Sequence, residues 1–315
     1  MLTLDEQAIL AARGPKNMVS PRRPYAYLVE PEYAPDGQVA DIATLFLTNR
    51  ECPFRCLMCD LWKNTTDTSV APGDIPAQIE FALQELPVAT QIKLYNSGNF
   101  FDKKAIPTAD WPAIAQLVAP FDRVIVENHP KLCTPACLTF RDMVQGRLEI
   151  AMGLETIHPE VLPRLNKRMT TRDFAKATAY LRSNDIDVRA FILLRPPYLN
   201  EEEGVFWAIQ SMAFAFANGV QCCAIVPTRP GNGAVDQLGD AGHFARPALS
   251  SIEQVLEAGL TLCHRRGAGR VLMDLWDLEQ FYACTTCGPG RKAQLHKMNL
   301  TQTILPAASC NQCSA

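Results

Sequence analysis

Short apolar stretches rich in β-branched residues alternate along the chain with longer segments in which apolar residues recur every three or four positions. This alternation predicts strands separated by amphipathic helices, the order that builds a parallel sheet covered by helices. The predicted strands are residues 42–48, 91–96, 123–127, 148–153, 188–194, 222–227 and 270–274. The helical stripes, which we interpret as core faces, are Ile79, Ala82, Leu83 and Leu86; Phe174, Ala177 and Leu181; Val205, Ile209, Met212 and Phe216; and Ile252, Val255, Leu256 and Cys263.

The number of strands decides which α/β fold we expect. Six or seven strand-helix units are fewer than the eight of a closed barrel. We therefore predict a partial (β/α)6 TIM-like barrel with a C-terminal cysteine-rich metal-binding extension. The corresponding domains are an N-terminal arm at 1–40, which is rich in proline and glycine, the barrel at 41–277, and a metal module at 278–315.

Composition restricts the chain to the class of soluble globular proteins. Hydrophobic residues make up 48% of the 315 residues, charged residues 20%, and the formal net charge is -3, which excludes a disordered chain and a strongly polyanion-seeking one. The N-terminus lacks a signal-peptide pattern, and no apolar stretch approaches the roughly 18 residues that a transmembrane helix needs. We therefore expect a cytoplasmic protein without a membrane partner, in a compartment where thiols stay reduced.

The 12 cysteines are too many for an ordinary cytosolic enzyme of this length and too sparse for a small disulfide scaffold. Cys52, Cys56 and Cys59 follow the first predicted strand, at the end where α/β barrels place their active sites. Thiolates are the usual ligands of iron-sulfur clusters, and three of them can hold a four-iron cluster with one iron left open. The alternatives are a zinc loop or three unrelated thiols.

The Cys-x3-Cys-x2-Cys spacing after a first barrel strand resembles the motif of the radical S-adenosylmethionine superfamily. In that family the open iron of a 4Fe-4S cluster binds the amine and carboxylate of S-adenosylmethionine. The resemblance implies that Cys52, Cys56 and Cys59 are the catalytic cluster ligands. It also implies that a 5′-deoxyadenosyl radical takes hydrogen from the substrate, and that flavodoxin or ferredoxin donates the electron.

Strand ends further along the chain resemble the family's cofactor-binding elements. The second predicted strand ends in Asn96-Ser97-Gly98-Asn99, where the family keeps a Gly-Gly-Glu-like turn for the methionyl amine. The fourth, fifth and sixth strands end where the family holds the ribose and the adenine. The resemblance therefore implies cofactor contacts at Met58, Asn96, Ser97, Gly98, Asn99, Glu155, Arg195 and Pro227.

The chain departs from the family's pattern in two places. Met58 precedes the third cysteine, where the family often has an aromatic residue, and the turn at 96–99 lacks the usual glutamate. A thioether can still cover the face of an adenine ring. The departures therefore concern the cofactor contacts more than the chemistry.

Four segments, residues 93–102, 127–130, 151–156 and 191–197, resemble the superfamily group that contains the elongator catalytic subunit and the archaeosine-synthesis enzyme. Known members modify tRNA bases, so the resemblance, over about residues 40–230, implies a nucleoside or tRNA substrate. The residues themselves give little support to RNA binding, since no basic stripe with interleaved aromatics is present. The basic residues that could form local patches are Lys16, Arg22, Arg23, Arg291, Lys292, His296 and Lys297.

The tail contains two Cys-x2-Cys pairs, Cys284 with Cys287 and Cys310 with Cys313. Four thiolates from two such turns are typical of a closed metal site. The 22 residues between the pairs slightly exceed the usual zinc-ribbon interval of about 15–20. Spacing alone does not choose between an auxiliary 4Fe-4S cluster, zinc and unmetallated pairs; the other members of the family favour the cluster. The remaining cysteines, which we interpret as small core residues, are Cys133, Cys137, Cys222, Cys223 and Cys263.

Four polar residues at strand ends are further candidates. His129 is a candidate proton donor, and Glu127, Arg195 and Arg229 are candidates for binding the substrate or the cofactor carboxylate. The leading hypothesis is radical modification of a nucleoside or tRNA base. The alternatives are sulfur insertion or another radical step on a small metabolite using an auxiliary cluster, and a non-catalytic iron-sulfur or zinc RNA-binding protein.

Overall fold

One sheet of eight strands curls into a half-barrel in the computed structural model, which describes residues 2–308 and 310–313. The strands follow one another in chain order across the sheet. The first pair is antiparallel and the others are parallel. The strands are β1 (Ala26–Tyr33), β2 (Val39–Phe46), β3 (Gln91–Tyr95), β4 (Arg123–Glu127), β5 (Arg147–Glu155), β6 (Asp187–Leu194), β7 (Cys222–Pro227) and β8 (Arg270–Met273).

Helices pack around the sheet and its loops. In the described part of the chain they are α1 (Glu6–Ala11), α2 (Asp74–Glu85), α3 (Trp111–Leu117), α4 (Pro135–Arg141), α5 (Val161–Arg164), α6 (Thr171–Arg182), α7 (Glu201–Ala217), α8 (Ala234–Asp240), α9 (Leu249–Arg266) and α10 (Gly288–Thr301). Most residues of the predicted stripes are buried, such as Phe174, Met212 and Ile252. No helix among the described residues combines the length and apolarity that a membrane span requires.

The predicted fold class is confirmed, and the seven predicted strands correspond to β2–β8. The sequence pattern does not predict β1, which lies inside the segment that we assigned to the arm. Its alternating positions include Glu30 and Glu32, which turn into the barrel and meet cations there. A strand whose inward face is charged has no apolar rhythm, so periodicity alone does not reveal it. The division into domains stays a prediction.

A carboxylate surrounded by three guanidinium groups occupies the interior of the barrel. Glu149 on β5 accepts hydrogen bonds from Arg189 at 2.7 Å, Arg270 at 3.0 Å and Arg123 at 3.1 Å. Burial alone would raise the pKa of Glu149, but the three cations outweigh it and the pKa is lowered. Glu149 therefore stays ionised and ties together strands β4, β5, β6 and β8.

The same network reaches the antiparallel strand. Arg189 donates to both oxygens of Glu32, at 2.6 and 3.1 Å, and the Lys93 ammonium lies 2.7 Å from the same carboxylate. Arg189 and Lys93 lie on the parallel strands β6 and β3, so these pairs fix β1 across the inside of the barrel. The network also forms one wall of a cavity of about 320 Å³, whose opposite wall includes His296 and Asn299 from α10.

Helix α10 spans the gap between the two end strands of the sheet, since it contacts both β1 and β8. The side-chain amide of Asn299 accepts from Met273 N at 2.9 Å and donates to Met273 O at 2.8 Å. Gln302 does the same for Val271, at 2.9 and 2.8 Å. Two side chains thus satisfy the backbone groups of β8 that a ninth strand would otherwise satisfy.

Replacing Asn299 by leucine is expected to lower the free energy of unfolding by about 1–3 kcal/mol, because leucine fills a similar volume and leaves the N–H and C=O of Met273 without partners. Urea denaturation measures the change. The substitution Thr301→Leu, on the exposed side of the same helix, is the control and is expected to alter stability by less than about 0.5 kcal/mol. Equal effects of the two variants would show that the amide contacts do not stabilise the sheet.

Candidate cluster and cofactor site

The three cysteines of the first motif line a cavity of about 430 Å³ at the carboxyl ends of the barrel strands. The loop after β2 carries Cys52, Cys56 and Cys59, and the ends of β3, β4 and β5 form the opposite wall. The structure therefore brings the predicted triple together at the edge of the sheet where parallel α/β proteins place their sites.

Two asparagines from distant loops hold the cysteine loop. Asn166 donates to the carbonyl of Arg55 at 2.7 Å, and Asn232 donates to the carbonyls of Leu57 at 2.7 Å and Cys59 at 3.2 Å. These bonds satisfy carbonyl groups that a loop without regular structure leaves open. The loop is therefore fixed before any ligand binds.

The N-terminal segment packs on the outside of this loop. Leu4 and Ile9 bury the side chain of Leu57, which lies between the second and third cysteines. Arg13 binds Glu51 at 2.7 Å, directly before the first cysteine. The segment therefore packs against the cysteine loop and pairs with the residue that precedes it.

The chemistry of the three thiols fits a cluster with one open iron. All three are free, and burial raises the pKa of Cys52 and Cys56 to about 11 and that of Cys59 to about 12. Such thiols stay protonated unless a strongly positive partner displaces the protons. In the described part of the chain no fourth cysteine lines the cavity, so a cluster here keeps one position for another ligand.

The turn after β3 contacts Cys52, the first cysteine of the motif. Asn99 donates to the Cys52 sulfur at 3.1 Å and accepts from the backbone N–H of His129 at 2.7 Å. A Cβ atom at Gly98 would lie 3.3 Å from Cys52 Cβ, closer than ordinary contact, so glycine is the residue that fits. The turn therefore supplies a hydrogen bond to sulfur and a close backbone approach.

Glu127, at the end of β4, supplies the carboxylate that the 96–99 turn lacks. Its Oε1 accepts from the backbone N–H groups of Asn96 at 2.6 Å and Gly98 at 3.3 Å, and it lines the cavity. Burial raises the pKa of Glu127 to about 7, although these N–H groups counteract part of the effect. Asn96 itself is buried, and its side-chain amide has no partner among the described residues.

A buried ion pair forms another part of the wall. Lys167 lies 2.6 Å from Glu155, and a Cβ at Gly153 would clash with both side chains, at 2.4 and 2.0 Å. Burial would lower the pKa of Lys167, but Glu155 and the nearby thiol of Cys56 raise it, so the ammonium stays charged. The sequence predicts Glu155 but not Lys167, because Lys167 lies in an irregular loop without a motif.

His129 is locked as a neutral ring. Its Nδ1 accepts from the backbone N–H of Lys131 at 3.1 Å, so Nε2 carries the hydrogen and donates to the carbonyl of Lys167 at 2.9 Å. Burial and the positive charge of Lys167 lower the pKa of His129 to about 4. The ring also stacks on Phe54 at 3.8 Å. These contacts position Lys167 and Phe54 and leave no ring nitrogen free to donate a proton.

The chain is similar in sequence to known proteins at low identity. No family model matches the chain. It is 22% identical over 305 residues to an uncharacterized protein of Methanocaldococcus jannaschii, covering 90% of this chain and 82% of that protein. It is 25% identical over 215 residues to archaeosine synthase subunit beta of Methanosarcina acetivorans, covering 64% of this chain and 60% of that one.

Solved structures share the fold at low sequence identity. Streptococcus suis SuiB matches with a TM-score of 0.54 and 12% identity, over 75% of this chain and 50% of its own. Elp3 of Methanocaldococcus infernus, lacking its N-terminus, matches with a TM-score of 0.50 and 14% identity, over 72% of this chain and 59% of its own. Both neighbours are radical S-adenosylmethionine (radical SAM) enzymes. The chain has the radical SAM fold.

The resemblance drawn from the cysteine motif is thereby confirmed. This chain spans between about half and three-fifths of the Elp3 and SuiB chains and of the archaeosine synthase subunit.

The remaining residues that were predicted to contact the cofactor do not all lie together. Most of them line one of two neighbouring cavities, and one lies outside both. Ser97, like Gly98 and Asn99, lines the cysteine cavity, and Met58 lines both this cavity and an adjoining one of about 400 Å³ that includes Pro227. Arg195 does not line either cavity. Its guanidinium instead binds Glu201, at the start of α7, and the carbonyl of Arg246.

Neighbouring groups engage most of the basic residues that could form RNA-binding patches. Lys16 lies 2.9 Å from Glu51, and Arg291 binds both oxygens of Glu253 at 2.7 Å. Three further contacts are Arg22 with Asp74, Arg23 over the ring of Phe81, and Lys292 with Glu279. Five of the seven candidate basic residues therefore already have a carboxylate or an aromatic ring as a neighbour.

The four tail cysteines converge on one point outside the barrel. The sulfur atoms of Cys284, Cys287, Cys310 and Cys313 all lie within 4.8 Å of one another, although the two pairs are separated by residues 288–309. The prediction that these cysteines form one cluster is therefore supported by the fold of the chain.

Proposed function

We propose that this chain is a radical SAM enzyme whose substrate is a nucleoside or a tRNA base. The observation that carries the proposal is the set of three thiols, with no fourth among the described residues, in a cavity at the carboxyl ends of the strands of a radical SAM fold. The similarity to two archaeosine synthase beta subunits, at 25% and 28% identity, supports a base as the substrate.

Cys52, Cys56 and Cys59 are the residues that would hold the 4Fe-4S cluster. The cluster and S-adenosylmethionine, when bound, supply a one-electron cleavage that generates a radical able to take hydrogen from a carbon atom. The electron comes from a small reduced protein such as flavodoxin or ferredoxin. The protein itself would bind and orient the cofactor and the substrate and would keep water away from them.

Two charged residues that line this cavity can contact the polar groups of an amino acid. Glu127 presents a carboxylate beside the 96–99 turn, which accepts hydrogen bonds from an amine, and Lys167 presents an ammonium near the thiols, which suits a carboxylate. Both side chains are held by other contacts, so little rearrangement is needed on binding. Met58 contributes a thioether surface where the two cavities meet.

The adjoining cavity of about 400 Å³ offers space for the substrate. Phe46 and Trp276 stand edge to face with centroids 5.7 Å apart, and Trp276 is 48% exposed although it lines the cavity. Asp60 and Asp274 lie on the same walls. An exposed ring is a surface on which a base stacks, and a carboxylate accepts hydrogen bonds from ring N–H and amino groups.

A small metabolite is the second candidate substrate. It is favoured by the pairing of Lys16, Arg22, Arg291 and Lys292 with acidic residues, which leaves fewer free cations for a phosphate backbone. The enzyme chemistry is the same for both candidates.

Two measurements test the proposal. Anaerobically reconstituted protein with S-adenosylmethionine and dithionite is expected to release 5′-deoxyadenosine and methionine. Nucleoside profiling of tRNA from a deletion strain is expected to show the loss of one modified base. An intact cluster without cofactor cleavage would overturn the radical assignment, whereas cleavage with an unchanged tRNA profile would favour the metabolite.

Binding of S-adenosylmethionine is expected to strengthen between pH 6 and pH 8, since Glu127, with a pKa of about 7, becomes an anion and then accepts a stronger hydrogen bond from the cofactor amine. In Glu127→Gln, equilibrium dialysis is expected to show an affinity that does not change over this range and is about tenfold weaker at pH 8.

Stability provides the control for this variant. Because burial raises the folded-state pKa of Glu127, its contribution to stability is present below its unfolded-state pKa and is lost as the pH rises through about 7. Glu127→Gln should therefore be at least as stable as the natural chain at pH 8. A parallel pH dependence of binding in both proteins would assign the titration to another group.

A further inference from the structure

The four tail cysteines form a group separate from the site in the barrel. We propose that Cys284, Cys287, Cys310 and Cys313 bind one zinc ion in a closed tetrahedral site, rather than the auxiliary 4Fe-4S cluster that the family's habit favours. This inference goes beyond the proposed function, because it concerns a metal that takes no part in cofactor cleavage.

Distances between sulfur atoms carry the inference. Four thiolates around one zinc ion at about 2.3 Å stand at the corners of a tetrahedron whose edges are about 3.8 Å. The sulfurs of Cys287 and Cys313 are 3.7 Å apart, and all four lie within 4.8 Å of one another. A single ion therefore fits between them with at most about 1 Å of adjustment in the separations of the sulfur atoms.

A cluster needs more room than this site provides. In a 4Fe-4S cluster each thiolate binds a different iron, so the sulfur atoms surround a larger body than one ion. The chain contains its own comparison, because Cys52, Cys56 and Cys59 do not form such a tight group among the described residues. The two sites thus differ in size as a cluster site and a single-ion site should.

Hydrogen bonds to sulfur orient the ligands. The sulfur of Cys284 accepts from the backbone N–H groups of Thr286 and Cys287, and that of Cys310 accepts from Gln312 N at 3.4 Å. Each Cys-x2-Cys turn thus points its own N–H groups at its first sulfur, which stabilises metal-bound thiolate. The turns also contact each other, since Thr286 donates to Gln312 at 2.6 Å.

The site ties the tail to the wall of the barrel. Cys287 immediately precedes α10, and Arg291 in the first turn of that helix hydrogen bonds to Cys287 and to Glu253 on α9. The same helix carries Asn299, which binds β8 and lines the interior cavity. All four positions around the ion are filled by protein, so we assign the zinc a structural role.

Metal analysis of a variant without the barrel site tests the proposal. In Cys52→Ala/Cys56→Ala/Cys59→Ala any iron or zinc that remains belongs to the tail, and elemental analysis is expected to give about one zinc and less than about 0.1 iron per chain. Adding Cys310→Ser and Cys313→Ser is expected to reduce zinc to less than about 0.1 per chain. Cys222→Ser/Cys223→Ser, which removes two buried core cysteines, is the matched control and should retain the ion if it folds.

A second measurement does not depend on the folding of any tail variant. Replacing the zinc of the triple variant by cobalt is expected to produce the absorption of a tetrahedral tetrathiolate site, in a ratio of about one cobalt per chain. Several irons per chain with iron-sulfur absorption, one iron instead of zinc, or no bound metal would each overturn the assignment. None of these results bears on cofactor cleavage, which the triple variant lacks and the natural chain tests independently.

Discussion

Replacement of Cys52, Cys56 and Cys59 by alanine, singly or together, is expected to abolish the release of 5′-deoxyadenosine and methionine from S-adenosylmethionine. The expected loss exceeds about 10³-fold, because the cavity contains no other cysteine among the described residues that could take over as a ligand. Product release in anaerobic assays with dithionite measures it, and the iron content of each variant should fall in parallel.

Cys263→Ala is the matched control for these variants. Cys263 is a buried cysteine on α9 that lines none of the cavities near the cysteine loop, so its loss removes a thiol without touching the site. It is expected to retain the iron and the activity of the natural chain, with at most a small loss of stability. Cleavage that survives in the triple variant would place the chemistry elsewhere.

The substitution Glu149→Ala is expected to lower the free energy of unfolding by about 3–5 kcal/mol, the range for a buried ion pair that loses one partner. Three guanidinium groups, those of Arg123, Arg189 and Arg270, would remain in the barrel with less compensation. Urea denaturation measures the change, and Glu202→Ala on the exposed face of α7 is the control, with less than about 0.5 kcal/mol.

The pH dependence of stability gives a second readout for Glu149. Its folded-state pKa is lowered, so its contribution is present above the unfolded-state pKa and is lost as the pH falls through the folded-state pKa. The difference between the natural chain and Glu149→Ala should therefore shrink in acid. A difference that is independent of pH would indicate that lost packing, not charge, dominates.

The barrel is predictable from the sequence because its parallel strands are apolar on both faces and the helices between them carry apolar stripes. This rule fails at β1, where Glu30 and Glu32 face inward, and their partners Lys93 and Arg189 interrupt the strands opposite. Charge pairs inside a barrel join residues far apart in the chain. Periodicity detects the burial of apolar side chains and has no means of detecting such pairs.

The candidate site is predictable to the extent that it is local. The cysteine triple and the 96–99 turn lie in short motifs at strand ends, and the structure brings them into one cavity. Lys167 comes from a loop without a motif, and Arg195 binds Glu201 and Arg246 outside the cavity, which no local motif reveals. In the tail, the spacing of the cysteines in the sequence predicts which sulfur atoms come together. Only the distances between those atoms in the structure indicate whether they surround a single ion or a larger cluster.

The side-chain amides of Asn299 and Gln302 have a consequence for the behaviour of the protein in solution. An exposed strand edge is a template onto which another chain can add a strand, and proteins avoid this by covering or charging such edges. Here α10 covers β8, and Cys287 of the proposed zinc site immediately precedes the first residue of α10. Loss of the tail metal should therefore appear as self-association through β8, at protein concentrations where the intact chain stays dispersed.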